Sequence, residues 1–140
     1  MIILDTNVIS ALMRPSPDAD VVRWLNNQPR PSLWTTSVTI FEIEFGLRTM
    51  PAGRRQSAMT SSFQSWLKNV IQERVANYDS AAAVSAAELA AVRQKRGRPG
   101  ELRDTMIAGI VLASHATLAT RNVKHFDDIA APVVNPWDKG

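Results

Sequence analysis

The sequence predicts an α/β domain built on a parallel sheet of about five strands flanked by helices, and three observations point there. Five short, β-prone apolar runs are spread along the chain: Ile2–Leu4, Leu33–Thr36, Val75–Tyr78, Thr117–Ala119 and Val133–Val134. Most are separated by segments with helical spacing of apolar residues, and strands alternating with helices read as a parallel sheet with helices on both faces. No repeat, low-complexity tract or linker divides the 140 residues, a length that suits one compact domain spanning 1–140. Hydrophobic residues make up 45% against 21% charged, which supplies a real core and excludes a disordered composition.

The elements follow in order. Asp5 ends the first strand and can cap a helix behind it. Asp18 can cap a helix through Val21, Val22 and Leu25 that stops before Pro29. Thr39-Ile40-Phe41-Glu42 opens another, carried on by Ile43, Phe45 and Leu47 and ended before Pro51. Residues 54–70 place Met59, Phe63, Trp66, Leu67 and Val70 at helical spacing. Asp79 caps a long alanine-rich helix that closes at Gly97. Leu102–Ser114 is the most apolar helix and is expected against the sheet centre, and a short helical turn follows Asn122.

The chain lacks cysteine, so disulfides and thiolate metal sites are excluded. Met1-Ile2-Ile3-Leu4 reaches an acid at position 5, too early for a secretory signal, and the longest apolar run, Met106 to Ala113, is far short of a membrane span. The expectation is a cytoplasmic protein with no membrane contact. A phosphate-binding G-x-x-x-x-G-K-[ST] loop and a G-x-S-x-G nucleophile elbow are both missing. Net charge is +3, a mild lean toward polyanions. Arg93, Lys95, Arg96, Arg98 and Arg103 crowd together with only Glu101 among them, which reads either as a solvated helix end or as a phosphate-tracking patch.

Three acids carry the chemistry. Asp5 ends strand one, Glu42 lies just inside the helix after strand two, and Asp104 opens the buried helix 102–114. In an open parallel sheet these positions converge on the carboxyl ends of the strands, where ligands bind. Each also has a local explanation: Asp5 as a cap, Thr39-x-x-Glu42 as a capping box, Asp104 as a charge complementing a helix dipole. Together they repel one another unless a cation sits between them, and Mg²⁺ or Mn²⁺ is the usual partner of such oxygen ligands. His115 and His125 lack zinc-like spacing and read as surface or hydrogen-bonded side chains. A carboxylate-held metal with open positions suits phosphodiester hydrolysis.

Four segments resemble the motifs of PIN-domain ribonucleases. They are Ile3-Leu4-Asp5-Thr6-Asn7-Val8-Ile9-Ser10, the stretch Ser37–Glu42, Arg103-Asp104-Thr105-Met106-Ile107-Ala108, and Ala119-Thr120-Arg121-Asn122 with Phe126. The closing Asn135-Pro136-Trp137 is similar to the end of the FitB-like branch of VapC toxins. The resemblance implies a single PIN domain with a twisted sheet, and a Mg²⁺- or Mn²⁺-dependent endoribonuclease acting as the toxin of a type II toxin–antitoxin pair. It further implies a small VapB-like antitoxin that blocks the site, contact with operator DNA only through that antitoxin, and a homodimer. Residue by residue, Asp5, Glu42 and Asp104 become metal ligands, directly or through water. Thr6, Asn7 and Thr120 support them, and Asn122 stands where the family often has a fourth acid. The site is then one charge poorer, so one metal is expected to be held firmly and a second weakly, with Asp127 and Asp128 as neighbours able to compensate or simply to sit at the surface.

Arg121, Arg96, Arg98 and Arg103 are candidates for RNA phosphates, and Trp24, Trp34, Trp66 and Trp137 for base stacking or for the core. Two other readings stay open. A metal-dependent phosphatase of the haloacid-dehalogenase kind needs a second aspartate where this chain has Asn7, and a PIN-like module could bind RNA or a partner without cutting it.

Overall fold

A computed structural model describes residues 1–138. Five parallel strands form one sheet: β1 (Ile2–Leu4), β2 (Leu33–Thr36), β3 (Val75–Ala76), β4 (Thr117–Ala119) and β5 (Val133–Val134), in the spatial order β3-β2-β1-β4-β5. The helices are α1 (Thr6–Leu12), α2 (Ala19–Asn26), α3 (Ser37–Thr49), α4 (Arg54–Trp66), α5 (Ser80–Lys95) and α6 (Leu102–Ser114). The chain builds outward from β1 through β2 to β3, then returns to lay β4 on the other side of β1. That reversal opens a crevice at the carboxyl ends of β1 and β4.

Side-chain alternation along the strands divides the core. Ile3 and Leu118 point to one face, with Ile107, Ile110 and Val111 of α6 and Ala82 of α5. Their neighbours Leu4 and Ala119 point to the other, with Val8, Val21, Ile43 and Phe63 from α1 to α4. At the α5–α6 contact Gly109 has no side chain to spare: a Cβ there would lie 2.5 Å from the Ala82 carbonyl and 2.6 Å from the Ala86 methyl.

Caps set the helix starts. Asp18 accepts from the N–H groups of Asp20 and Val21, and Asp79 from that of Ala82, as the sequence predicts. Helix α3 departs from expectation. It starts at Ser37, with Thr36 as cap accepting from the Thr39 N–H at 3.0 Å, so the capping box from Thr39 to Glu42 does not form. Strand β3 is shorter than the run Val75–Tyr78, because the Tyr78 N–H donates to Ser37 Oγ instead of a strand neighbour. The helix expected over 54–70 ends at Trp66 and passes into a π-helical turn, Leu67–Ile71, closed by Gln72 in a left-handed conformation (φ 58°). Helix α6 spans the predicted residues, and a 3₁₀ turn, Val123–Phe126, follows Asn122. Among the described residues no helix is long and apolar enough to cross a membrane.

Candidate active site

Asp5 is the fixed point. Its N–H continues the β1–β4 ladder, donating to the Ala119 carbonyl at 2.9 Å. Oδ1 caps α1 by accepting from the Thr6 N–H at 2.8 Å. Oδ2 accepts from the Thr120 hydroxyl at 2.8 Å and from Asn7 Nδ2 at 3.4 Å. The side chain is buried, with the residue only 3% exposed. Burial is the main force that pushes its carboxyl up to about 6, the nearby charges of Asp104 and Glu42 add to it, and the bonds from Thr120 and Thr6 oppose it.

Glu42 projects from the second turn of α3. Its Oε1 accepts from the Thr6 hydroxyl at 2.9 Å, and its Oε2 stands 3.6 Å from Arg103 Nη1. Burial raises its carboxyl above the ordinary value, against the pull of Thr6 and Arg103. Asp104 sits in the first turn of α6, where Glu101 caps its N–H at 3.0 Å, and its Oδ2 lies 3.0 Å from His125 Nδ1. Asn122 leaves β4 with its N–H donating to Thr120 Oγ1 at 3.0 Å. Asn7 ties the loops together: its amide nitrogen reaches Thr120 Oγ1 at 3.3 Å, and its carbonyl accepts from the Arg121 N–H at 3.2 Å.

The predicted positions therefore meet. Asp5, Thr6, Asn7, Glu42, Asp104 and Asn122 line one cavity of about 350 Å³, and Arg121 and Trp137 stand at its side, the guanidinium 4.9 Å above the indole ring. Thr120 lies beneath, fully buried. Among the described residues no three His, Asp or Glu side chains stand, as placed, in a group able to hold a metal ion. Each acid is instead held by a neighbour: Asp5 by Thr120, Glu42 by Thr6 and Arg103, and Asp104 by His125.

The cationic candidates separate. Arg121 belongs to the acid-lined cavity. Arg103 is paired with Glu42 and with Glu101, each at 3.6 Å. Arg96 and Arg98 line a second cavity beside the first. Arg93, part of the same cluster in sequence, is not a surface cation. It is 4% exposed and grips Asp128 through Nε at 2.7 Å and Nη2 at 2.8 Å. Asp128 is thereby taken and does not compensate for Asn122. Trp24 and Trp66 pack into one half of the core and Trp34 into the other, while Trp137 both packs and faces the cavity. The sequence reading missed the link from His125 to Asp104; its only local sign is that His125 follows Asn122 by one helical turn.

The fold and this pocket define a class: an open parallel α/β protein whose switch-point crevice is lined by carboxylates. The PIN-domain family model matches residues 2–132, and the chain belongs to that family. It is 36% identical over 138 residues to the plasmid stability protein StbB of Pseudomonas syringae pv. tomato, covering 99% of both chains. It is 33% identical over 138 residues, again 99% of both, to a VapC ribonuclease of Sinorhizobium fredii. Among solved structures it superposes on FitAB bound to a DNA fragment with a TM-score of 0.91 at 26% identity, covering 100% of this chain and 98% of that one.

Proposed function

We propose that this PIN-domain protein is a Mg²⁺- or Mn²⁺-dependent endoribonuclease and the toxin of a VapBC-type toxin–antitoxin pair. The observation that carries the reading is the gathering of Asp5, Glu42 and Asp104, from three separate elements, on one cavity at the strand ends. The donor set fits the metal. It is all hard oxygen, and two of its carboxyls are raised, chiefly by burial and further by neighbouring acids, a cost that a bound cation offsets. Asp5, Glu42 and Asp104 would hold the ion, directly or through water, with Asn122 as a neutral fourth oxygen.

A bound ion supplies an acidified water and positive charge against the phosphoryl oxygens. The chain's own groups prepare the site for it. Thr120 and Asn7 fix the orientation of Asp5, and the Thr6 hydroxyl fixes that of Glu42, as supporting hydrogen bonds do around metal ligands. Arg121, held over Trp137, places a cation beside the acids where an RNA phosphate would lie.

The FitAB structure on which this chain superposes is bound to a DNA fragment, which supports a small VapB-like antitoxin as partner and operator DNA reached only through it. A homodimer is supported by the exposed apolar patch of Phe41, Phe45 and Leu102 with Met106, where the rings of Phe41 and Phe45 lie 6.0 Å apart. The setting is the cytoplasm, where the RNA is.

The test is incubation of the purified chain with RNA and Mg²⁺ or Mn²⁺, with and without EDTA, beside the Asp5→Asn variant and a panel of phosphomonoesters. Metal-dependent internal cleavage, lost in the variant, is expected. Phosphate release from monoesters without RNA cleavage would assign a phosphatase. Asn122 favours one second reading, a module that binds RNA without cutting, and RNA binding with no cleavage by the wild type would establish it.

A further inference from the structure

A second cavity, of about 500 Å³, adjoins the acid-lined one, and Asp104 borders both. Its walls are the connection from α5 to α6 (Arg96–Glu101) and the 3₁₀ turn after β4 with the residues that follow it. Three exposed cations face it: Arg96, Arg98 and Lys124. Among the described residues none of the three lies in an ion pair.

Four acids border the same space, and three of them have partners of their own. Asp128 is gripped by Arg93, Asp104 lies against His125, and Glu101 caps α6 while facing Arg103. Asp127 remains beside the three cations, which stand unpaired next to a pocket lined by three carboxylates and two arginines.

The cavity is also braced from within by hydrogen bonds. The buried Arg93 ties three elements together, bonding Asp128, the His125 carbonyl at 2.9 Å and Thr105 Oγ1 at 3.2 Å. Gly100 packs closely against that guanidinium; a Cβ there would come within 2.6 Å of Nη1. Gly97, in the left-handed region at φ 69°, turns the chain so that Arg96 and Arg98 flank the opening.

We propose that this second cavity is a subsite for the phosphodiester backbone of the RNA strand beside the cleaved bond, with Arg96, Arg98 and Lys124 as its phosphate-binding groups. The proposal rests on the endoribonuclease reading and goes beyond it. An acid-lined pocket repels a polyanion, so a strand brought to it needs cations close by, and this cavity supplies them one residue away, across Asp104. Its volume is on the scale of a small-ligand site. An acidic protein segment would meet the same cations but has no reason to continue into the carboxylates, which a strand to be cut must reach.

The test measures binding without cleavage. The Asp5→Asn chain is titrated with a short fluorescent single-stranded RNA over a range of salt, alone and with Arg96→Gln, Arg98→Gln and Lys124→Gln combined. The triple change is expected to raise Kd about tenfold and to flatten the log–log salt slope by about 2, since each lost phosphate contact on a single strand is worth about 0.7. A control triple, Arg54→Gln, Arg55→Gln and Lys68→Gln, removes the same charge from exposed sites on and after α4 and should leave Kd within about twofold. In the wild-type background the cavity triple should raise KM and leave kcat within a few-fold, and a dinucleotide too short to enter the cavity should be cut as before.

Unchanged Kd and slope, equal losses in the control, or an Asp5→Asn chain that binds no RNA would each overturn the subsite. So would polyglutamate binding that the triple abolishes while RNA affinity stays intact, which would assign the cavity to an acidic protein segment. Failure of the wild type to cut RNA would sink the endoribonuclease reading alone, because the binding arm needs no cleavage.

Discussion

The Thr120 hydroxyl donates to Asp5 Oδ2 at 2.8 Å and so joins the ends of the two strands that flank the crevice. It is the strongest of the contacts that hold down the Asp5 carboxyl, which burial pushes up to about 6. Replacing Thr120 with Val keeps the shape and removes the donor. The Asp5 carboxyl should then rise further, so that more of it is protonated at neutral pH and unable to take a cation. The acid limb of the cleavage profile should move to higher pH, and activity at neutral pH should fall about 10- to 100-fold. Thr120→Ser should restore both. An acid limb that stays in place in the valine variant would show that the hydroxyl does not tune Asp5.

Asp5 should also cost the metal-free fold stability. It holds its proton more tightly when folded, at about 6, than at its ordinary value of 3.8. Stability without metal should therefore fall as pH rises from about 4 through about 6, by at most ~3 kcal/mol. Asn at this position has no charge to bury and can still accept the Thr6 N–H. In EDTA at pH above about 7, Asp5→Asn should melt higher than the wild type, and the two curves should converge toward the ordinary carboxylate range. Mn²⁺ should raise the wild-type Tm and leave the variant unmoved, while cleavage is lost. A variant that melts lower at every pH would show that the carboxylate is a structural asset.

Much of this was legible before the structure because it depends on short-range signals. β1, β2, β4 and β5 are short apolar runs, and α6 covers the apolar stretch Leu102–Ser114 as expected. The convergence of Asp5, Glu42 and Asp104 followed from topology alone, since the ends of parallel strands share an edge. The start of α3 was not legible, because Thr36 and Thr39 lie one helical turn apart and either can cap; Thr36 takes the role from the end of β2. The π-helical turn at Leu67–Ile71 leaves the apolar spacing helical, so periodicity does not reveal it. His125 with Asp104 and Arg93 with Asp128 are separated by 21 and 35 residues, and only tertiary packing makes them partners. In sequence Arg93 looks like its basic neighbours; burial alone distinguishes it.

The grip of Arg93 on Asp128 predicts an acid-sensitive contribution to stability. The guanidinium holds the Asp128 carboxyl below its ordinary value. Such a group stabilises the fold above the unfolded pKa and loses its effect as pH falls through the folded one. Asp128→Asn leaves the Arg93 charge buried without its anion, and should cost about 2 kcal/mol at neutral pH. That is less than for a fully enclosed pair, because 24% of the Asp128 side chain remains exposed. Urea unfolding should show the gap between variant and wild type narrowing in acid. A constant gap across pH would mean that the loss comes from altered packing or geometry at residue 128 and not from the carboxylate's charge.

Asn122 is the uncharged corner of the site, and its substitution tests how the acids share a cation. Its N–H is held by Thr120 and its residue lines the same cavity as Asp5, Glu42 and Asp104. Asn122→Asp adds a fourth negative charge without changing size. In the absence of metal the new carboxylate meets three others, so the melting point in EDTA should drop. With Mn²⁺ the same charge becomes favourable, so calorimetry should show affinity about tenfold higher, equal to about 1.4 kcal/mol, and a larger Tm rise on adding the ion. Both effects come from one charge, and they should be screened together as salt is raised, less strongly than for exposed groups because the cavity is partly enclosed. If Mn²⁺ affinity and the EDTA melting point both stay at wild-type values, residue 122 lies outside the reach of the ion and Asp5, Glu42 and Asp104 hold it unaided.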